Sequence, residues 1–137
     1  MGEVAKSVLA EGGDRPDVLV FLQCTSPLTT PEDIDAAARA VLVRHGLGPD
    51  YQLPGTPHRT GHGIGLDIHE GPYLVRGDAT PLEVGMCFSN EPMIVVPGAF
   101  GIRLEDHFHM TADGPQWFTQ PQFSLDDPFG DVAAFQP

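Results

Sequence analysis

The stretch His58-Arg59-Thr60-Gly61-His62-Gly63-Ile64-Gly65-Leu66-Asp67-Ile68-His69-Glu70 holds three histidines and three glycines in a single run. The glycines exclude a helix and let the backbone pass close to another group or adopt positive φ. Histidines four and seven residues apart do not share one face of a strand. A phosphate loop is one candidate. The dinucleotide pattern fails because Leu66 stands where its last glycine belongs, and no Gly-Lys-Ser/Thr is present for a P-loop. Histidines framed by glycines suit a metal or acyl-transfer site better. The plain alternative is three surface or core-satisfied histidines on a glycine-rich turn.

Two further clusters lie downstream. Asn90-Glu91-Pro92 sits between the apolar runs Val84–Phe88 and Met93–Val96. A carboxylate so flanked is expected to be buried at one end and to need a cation or several donors; the alternative is a strand-end glutamate turned to solvent. In Gly101–Met110, strand alternation puts Arg103, Glu105, His107 and His109 on one face and Ile102, Leu104, Asp106, Phe108 and Met110 on the other. That pattern is either a solvated face or part of a site; a metal site built from His107 and His109 lacks a third ligand. One histidine and two glutamates arriving from separate strands make a workable ligand set for a divalent ion.

Strands are expected at Arg59–Leu66, Gly85–Ser89, Pro92–Val96, Ile102–Met110 and Gln116–Thr119. Val95-Val96-Pro97-Gly98 reads as a strand entering a turn, and Ala112-Asp113-Gly114 as a hairpin turn. Upstream, Thr30 as N-cap, Pro31 at the first helical position and Glu32-Asp33 in the first turn open a helix. Ile34, Ala37, Ala38, Val41 and Leu42 give it one apolar stripe, and Gly46 and Gly48-Pro49 end it, so the helix is set at Pro31–His45. The apolar run in Asp17–Gln23 reads as a strand buried on both faces, hence parallel. Val4–Leu9 reads as a short helix, and Gln120–Pro137 as an irregular surface tail.

The 137 residues suit one domain, and 19 acidic against 7 basic side chains give a net charge of −12. That balance argues against nucleic-acid or anionic-membrane partners, and no apolar run approaches the roughly 20 residues needed to span a bilayer. Met1–Gly12 lacks the apolar core of a signal peptide. Two cysteines suit a reducing cytoplasm: Cys24 is read as a buried thiol and Cys87 as packed in a core strand. Sixteen glycines and fourteen prolines imply many turns and few long helices.

Taken together, His58–Glu70 with its following Gly71-Pro72-Tyr73, Ser89-Asn90-Glu91-Pro92 and Arg103-Leu104-Glu105-Asp106 resemble the C-terminal half of the pita-bread metallopeptidases, in order and spacing over residues 36–130. That family includes methionine aminopeptidase, aminopeptidase P and prolidase, and the His58–Tyr73 run resembles its proline-specific branch. The resemblance implies two divalent ions (Mn, Co, Zn or Fe) and a bridging hydroxide that attacks the scissile carbonyl. It implies His62, Glu91 and Glu105 as metal ligands, with Glu91 also the proton shuttle and Glu105 the bridge. His58 and His69 would contact substrate, His69 near the developing oxyanion, and Arg103 would orient the acidic ligands.

The family's two aspartate ligands have no counterpart here, since none of Asp14, Asp17, Asp33 and Asp35 has their sequence context. Three of five ligands remain, two of them carboxylates, so at most one divalent ion is expected. Residues 17–36, with Leu22-Gln23-Cys24-Thr25-Ser26-Pro27-Leu28, are similar to a fragment of the acylneuraminate cytidylyltransferases, which implies a join near Ile34–Arg39. The expected organisation is a strand–turn–helix segment over 1–35, half a pita-bread domain over 36–119 and an acidic tail over 120–137. The expected fold class is α+β: a curved, mostly antiparallel sheet with a packed helix. The expected function is a proline-directed metallopeptidase that is inactive alone, acting on a peptide with proline near its N-terminus. The alternatives are a non-catalytic metal- or peptide-binding fragment that self-associates or docks with a complementing half-domain, and a sugar-nucleotide cytidylyltransferase fragment.

Overall fold

The structure, a computed structural model, describes residues 7–9, 18–20 and 30–119. The tail beyond residue 119, Cys24 and the run from Leu22 to Leu28 lie outside the described residues. Strand β1 (Ser7–Leu9) pairs antiparallel with β2 (Val18–Val20), Ser7 opposite Val20. This corrects two expectations. The Val4–Leu9 helix is a strand over Ser7–Leu9, and the apolar run at Val18–Val20 is antiparallel to it. The stretch joining them is shorter than the dozen or so residues a parallel crossover needs.

Helix α1 (Pro31–Arg44) forms as its sequence dictates, one residue shorter than expected, with His45 at its C-cap. The backbone N–H and the hydroxyl of Thr30 both donate to the Asp33 carboxylate, at 3.0 and 2.8 Å. These bonds hold the Asp33 carboxyl below the ordinary carboxylate range, the backbone bond contributing most. Ile34, Ala38, Val41 and Leu42 are buried, as the stripe requires.

The main sheet has five strands: β3 (Gly61–Ile64), β4 (Glu70–Leu74), β5 (Cys87–Asn90), β8 (Asp106–Thr111) and β9 (Gly114–Trp117). Their order is β4-β3-β5-β8-β9, and every pairing is antiparallel. A separate hairpin joins β6 (Met93–Val96) to β7 (Phe100–Arg103). Ala112-Asp113 makes the tight β8–β9 turn, and Pro97-Gly98-Ala99 the β6–β7 turn, where Gly98 takes φ +77°.

Four expected strands are present with ends moved by up to two residues, the last at Gly114–Trp117 in place of Gln116–Thr119, and two differences are larger. The single strand Ile102–Met110 is two, β7 and β8, interrupted at Leu104-Glu105, because β7 belongs to the hairpin and β8 to the main sheet. Strand β4 is an additional one, holding Gly71-Pro72, two residues with weak strand preference. It lies at the sheet's edge, where proline's missing N–H costs no ladder bond, and the register shifts beside it between His62 and Gly63.

One sheet face packs on α1. Ile34 and Ala38 join Leu74, Leu82, Phe88, Phe108 and Met110 in a single buried cluster, with Phe88 and Phe108 stacked at 5.2 Å. The α+β architecture with one packed helix is therefore the observed one. Cys87 is a half-buried free thiol on β5. Among the described residues no helix is long and apolar enough to cross a membrane.

Candidate metal centre

Phe88 and Ser89 are neighbours on β5, so they point to opposite faces of the sheet. Phe88 enters the helix-side core. Ser89 lies directly across from His62 on β3 and from His107 on β8. His62, Ser89 and His107 thus share the face opposite the helix.

Gly61 is what lets β3 reach this position. A Cβ there would run into the Ser89 carbonyl oxygen and the Leu74 side chain, so only glycine permits the approach. His62 is 2% exposed, and its Nδ1 lies 3.0 Å from the Gly63 carbonyl oxygen. Donation from Nδ1 to that carbonyl leaves Nε2 with its lone pair free. Glu91, 4% exposed, follows directly after β5, and its backbone N–H donates to the Thr60 carbonyl at 2.8 Å. Its Oε2 accepts from the Arg103 guanidinium at 2.9 Å. Its Oε1 is buried without a hydrogen bond and lies 3.4 Å from His62 Nε2. Glu105, in the break between β7 and β8, accepts from the Ser89 hydroxyl at 2.8 Å, and His107 Nε2 stands 3.5 Å from the same oxygen.

One ligand atom from each of His62, Glu91 and Glu105 lies within 4.8 Å of the others. Two acceptors facing each other in a buried space repel unless a cation or proton stands between them. The donor set of imidazole and two carboxylates, with one carboxylate oxygen orphaned, fits a divalent ion.

The remaining candidates fall at different distances. Arg103 is bonded to Glu91, and the His69 ring lies 4.4 Å from that of His62 on an exposed loop. His58 is not in the cluster; its Nδ1 lies 2.8 Å from the Arg59 carbonyl oxygen. His109 lies against Phe118, at 4.8 Å between rings.

Sequence reasoning missed Ser89, which steadies Glu105. It also missed a buried network behind the site. Asp35 and Arg39, one turn apart on α1, are 1% and 6% exposed. Arg39 Nε and an Nη atom donate to Asp35 at 2.8 and 3.1 Å. Its other donors reach the carbonyls of Asp50, Thr56 and His58 at 2.7, 2.9 and 2.8 Å. The Tyr51 and Thr60 hydroxyls each donate to Asp35 at 2.8 Å. The Tyr51 ring lies under the guanidinium at 3.5 Å, and burial above all pushes its phenol upward. The available signal was an acid and a base at i and i+4 bordering the apolar stripe of α1.

Comparison with known proteins follows the same residues. The profile of metallopeptidase family M24 matches residues 19–112. An Xaa-Pro dipeptidase of Lactobacillus helveticus is 42% identical over 112 residues, 82% of this chain and 29% of the relative. The crystal structure of dipeptidase PepE from Mycobacterium ulcerans superposes with a TM-score of 0.60 at 46% identity, covering 69% of this chain and 24% of the other. The prolidase from Pyrococcus furiosus gives 0.61 at 36% identity, covering 69% and 27%. The chain spans less than a third of the length of each. The fold is therefore part of the pita-bread architecture. The cytidylyltransferase reading of residues 17–36 is not borne out: the M24 match begins at residue 19 and runs on through Ile34–Arg39.

Proposed function

Because this chain belongs to metallopeptidase family M24, we propose that it carries the C-terminal ligand half of a proline-directed dipeptidase site and does not turn over substrate alone. The observation that carries this reading is the buried, unbonded Oε1 of Glu91, 3.4 Å from His62 Nε2. His62, Glu91 and Glu105 are the residues that would hold a divalent ion, Mn, Co, Zn or Fe. Such ions, when bound as a pair, lower the pKa of a bound water and polarise a carbonyl.

The chain's own residues supply the rest. The Gly63 carbonyl sets the His62 tautomer so that Nε2 faces the site. Arg103 fixes one oxygen of Glu91 and leaves the other free to take a proton from an attacking water. Ser89 holds Glu105. His69, exposed with its ring 4.4 Å from that of His62, would donate to the oxyanion that develops on an attacked carbonyl. His58 is assigned to the peptide, with a proline-containing dipeptide as substrate and a reducing cytoplasm as setting.

The family's two aspartates have no counterpart in this chain, and two carboxylates balance a single divalent charge. We therefore expect calorimetry with Mn or Co to give at most one ion per chain, lost in Glu105→Ala. Ala-Pro should remain uncleaved by the chain with added metal. Cleavage should appear on mixing with a polypeptide that supplies the other half of such a domain and its two aspartates. Two tightly held ions, or robust turnover by the chain alone that His62→Ala abolishes, would overturn this assignment.

A further inference from the structure

The geometry points to Asp35, Arg39 and Thr60 as positioning residues that set the spacing of His62 and Glu91 from behind the sheet. The inference rests on the reading of those two side chains as ligands.

Thr60 is the joint. Its hydroxyl donates to Asp35 at 2.8 Å, its N–H to the Leu74 carbonyl at 2.9 Å, and its carbonyl accepts the Glu91 N–H at 2.8 Å. All three polar groups of this buried residue are therefore committed. His62 follows two residues later, on β3, which begins directly after Thr60. A shift of Thr60 thus moves the backbone of both ligands, and the helix reaches the site through this residue. Arg39 secures the approach. It grips the Thr56 and His58 carbonyls, so the segment leading into β3 is held by a rigid guanidinium fork and not by side-chain packing alone.

A buried ion pair is a poor choice for stability, because desolvation offsets much of the attraction and an apolar pair of similar volume often serves as well. This one has every Arg39 N–H satisfied and Asp35 bonded by Arg39, Tyr51 and Thr60. Directional bonds of this kind fix a position in a way that apolar contacts do not. Groups behind metal ligands commonly change metal affinity by about 10–100-fold when removed.

The test uses the full chain with Co or Mn. Thr60→Val keeps the shape and removes only the hydroxyl; Thr60→Ser restores it. Leu82→Ala, in the core away from the site, serves as a control for lost stability. We expect Thr60→Val to weaken metal binding about tenfold, Thr60→Ser to recover most of it, and Leu82→Ala to bind as the parent does. Metal-free hydrogen exchange gives an independent readout: the Glu91 amide should exchange faster in Thr60→Val than in Leu82→Ala when the two melt at the same temperature. Equal affinity in Thr60→Val, or an equal loss in Leu82→Ala, overturns the inference. If the parent chain binds no metal, the proposed function fails, and the Glu91 amide alone decides the positioning role: faster exchange specific to Thr60→Val supports it, and no difference overturns it.

Discussion

Gly61 and Glu91 show how much a single position decides here. At Gly61 a methyl group would meet the Ser89 carbonyl, a backbone atom that cannot rotate away. Gly61→Ala must push β3 off β5, and overpacking of this kind costs about 3 kcal/mol. We expect a lower melting temperature and loss of metal binding together, read by circular dichroism and calorimetry. The glycine-rich run announced a close approach, and the sequence stops short only of naming Ser89 as the group approached. Glu91 was legible as a carboxylate between apolar runs. Its Arg103 partner was legible too, but Ser89 behind Glu105 was not, because a serine in a strand carries no pattern of its own. At Arg39 the expectation is different in kind. Arg39→Met leaves Asp35 buried and unpaired, and breaking a buried pair from one side costs about 3–5 kcal/mol. Chemical denaturation should show it as a drop in midpoint with little change in slope.

Among elements, the helix was the most readable because cap, first turn, stripe and stop all agree. Its start makes a pH prediction. The Asp33 carboxyl is held below its ordinary value by the Thr30 N–H and hydroxyl. A depressed carboxylate contributes stability above its unfolded pKa, and that contribution is lost as pH falls through the lower folded value. Asp33→Ala should cost about 1 kcal/mol near neutral pH. The gap between variant and parent should narrow below pH 3.8, followed by far-ultraviolet dichroism. Strands were readable where alternation was uninterrupted. Edge strand β4 was hidden by Gly71-Pro72, whose turn-like signal reflects local preference and not position in a sheet. The break between β7 and β8 was hidden for the opposite reason: the alternation from Ile102 to Met110 is continuous, while the pairing partners change. Periodicity reports burial, and it is silent on which strand lies alongside.

At the scale of the molecule the sheet is covered on one face and carries its polar cluster on the other. Leu66 and Ile68, on the loop between β3 and β4, are 104% and 75% exposed, and Val84 is 69% exposed. Apolar side chains so exposed promote association where they form a contiguous patch. We expect light scattering to show mass rising with concentration, and the double variant Leu66→Ser with Ile68→Ser to reduce it. The strand order carries one more consequence. Strand β3 sits between β4 and β5, and β5 must then wait for β8 before its second edge is closed. During synthesis, His62 and Glu91 leave the ribosome before Glu105 and the strand that follows it. A nascent chain halted before Glu105 therefore has an open central edge and only two of the three clustered side chains, so the closing of the sheet and the completion of that cluster become a single late event in the birth of the protein.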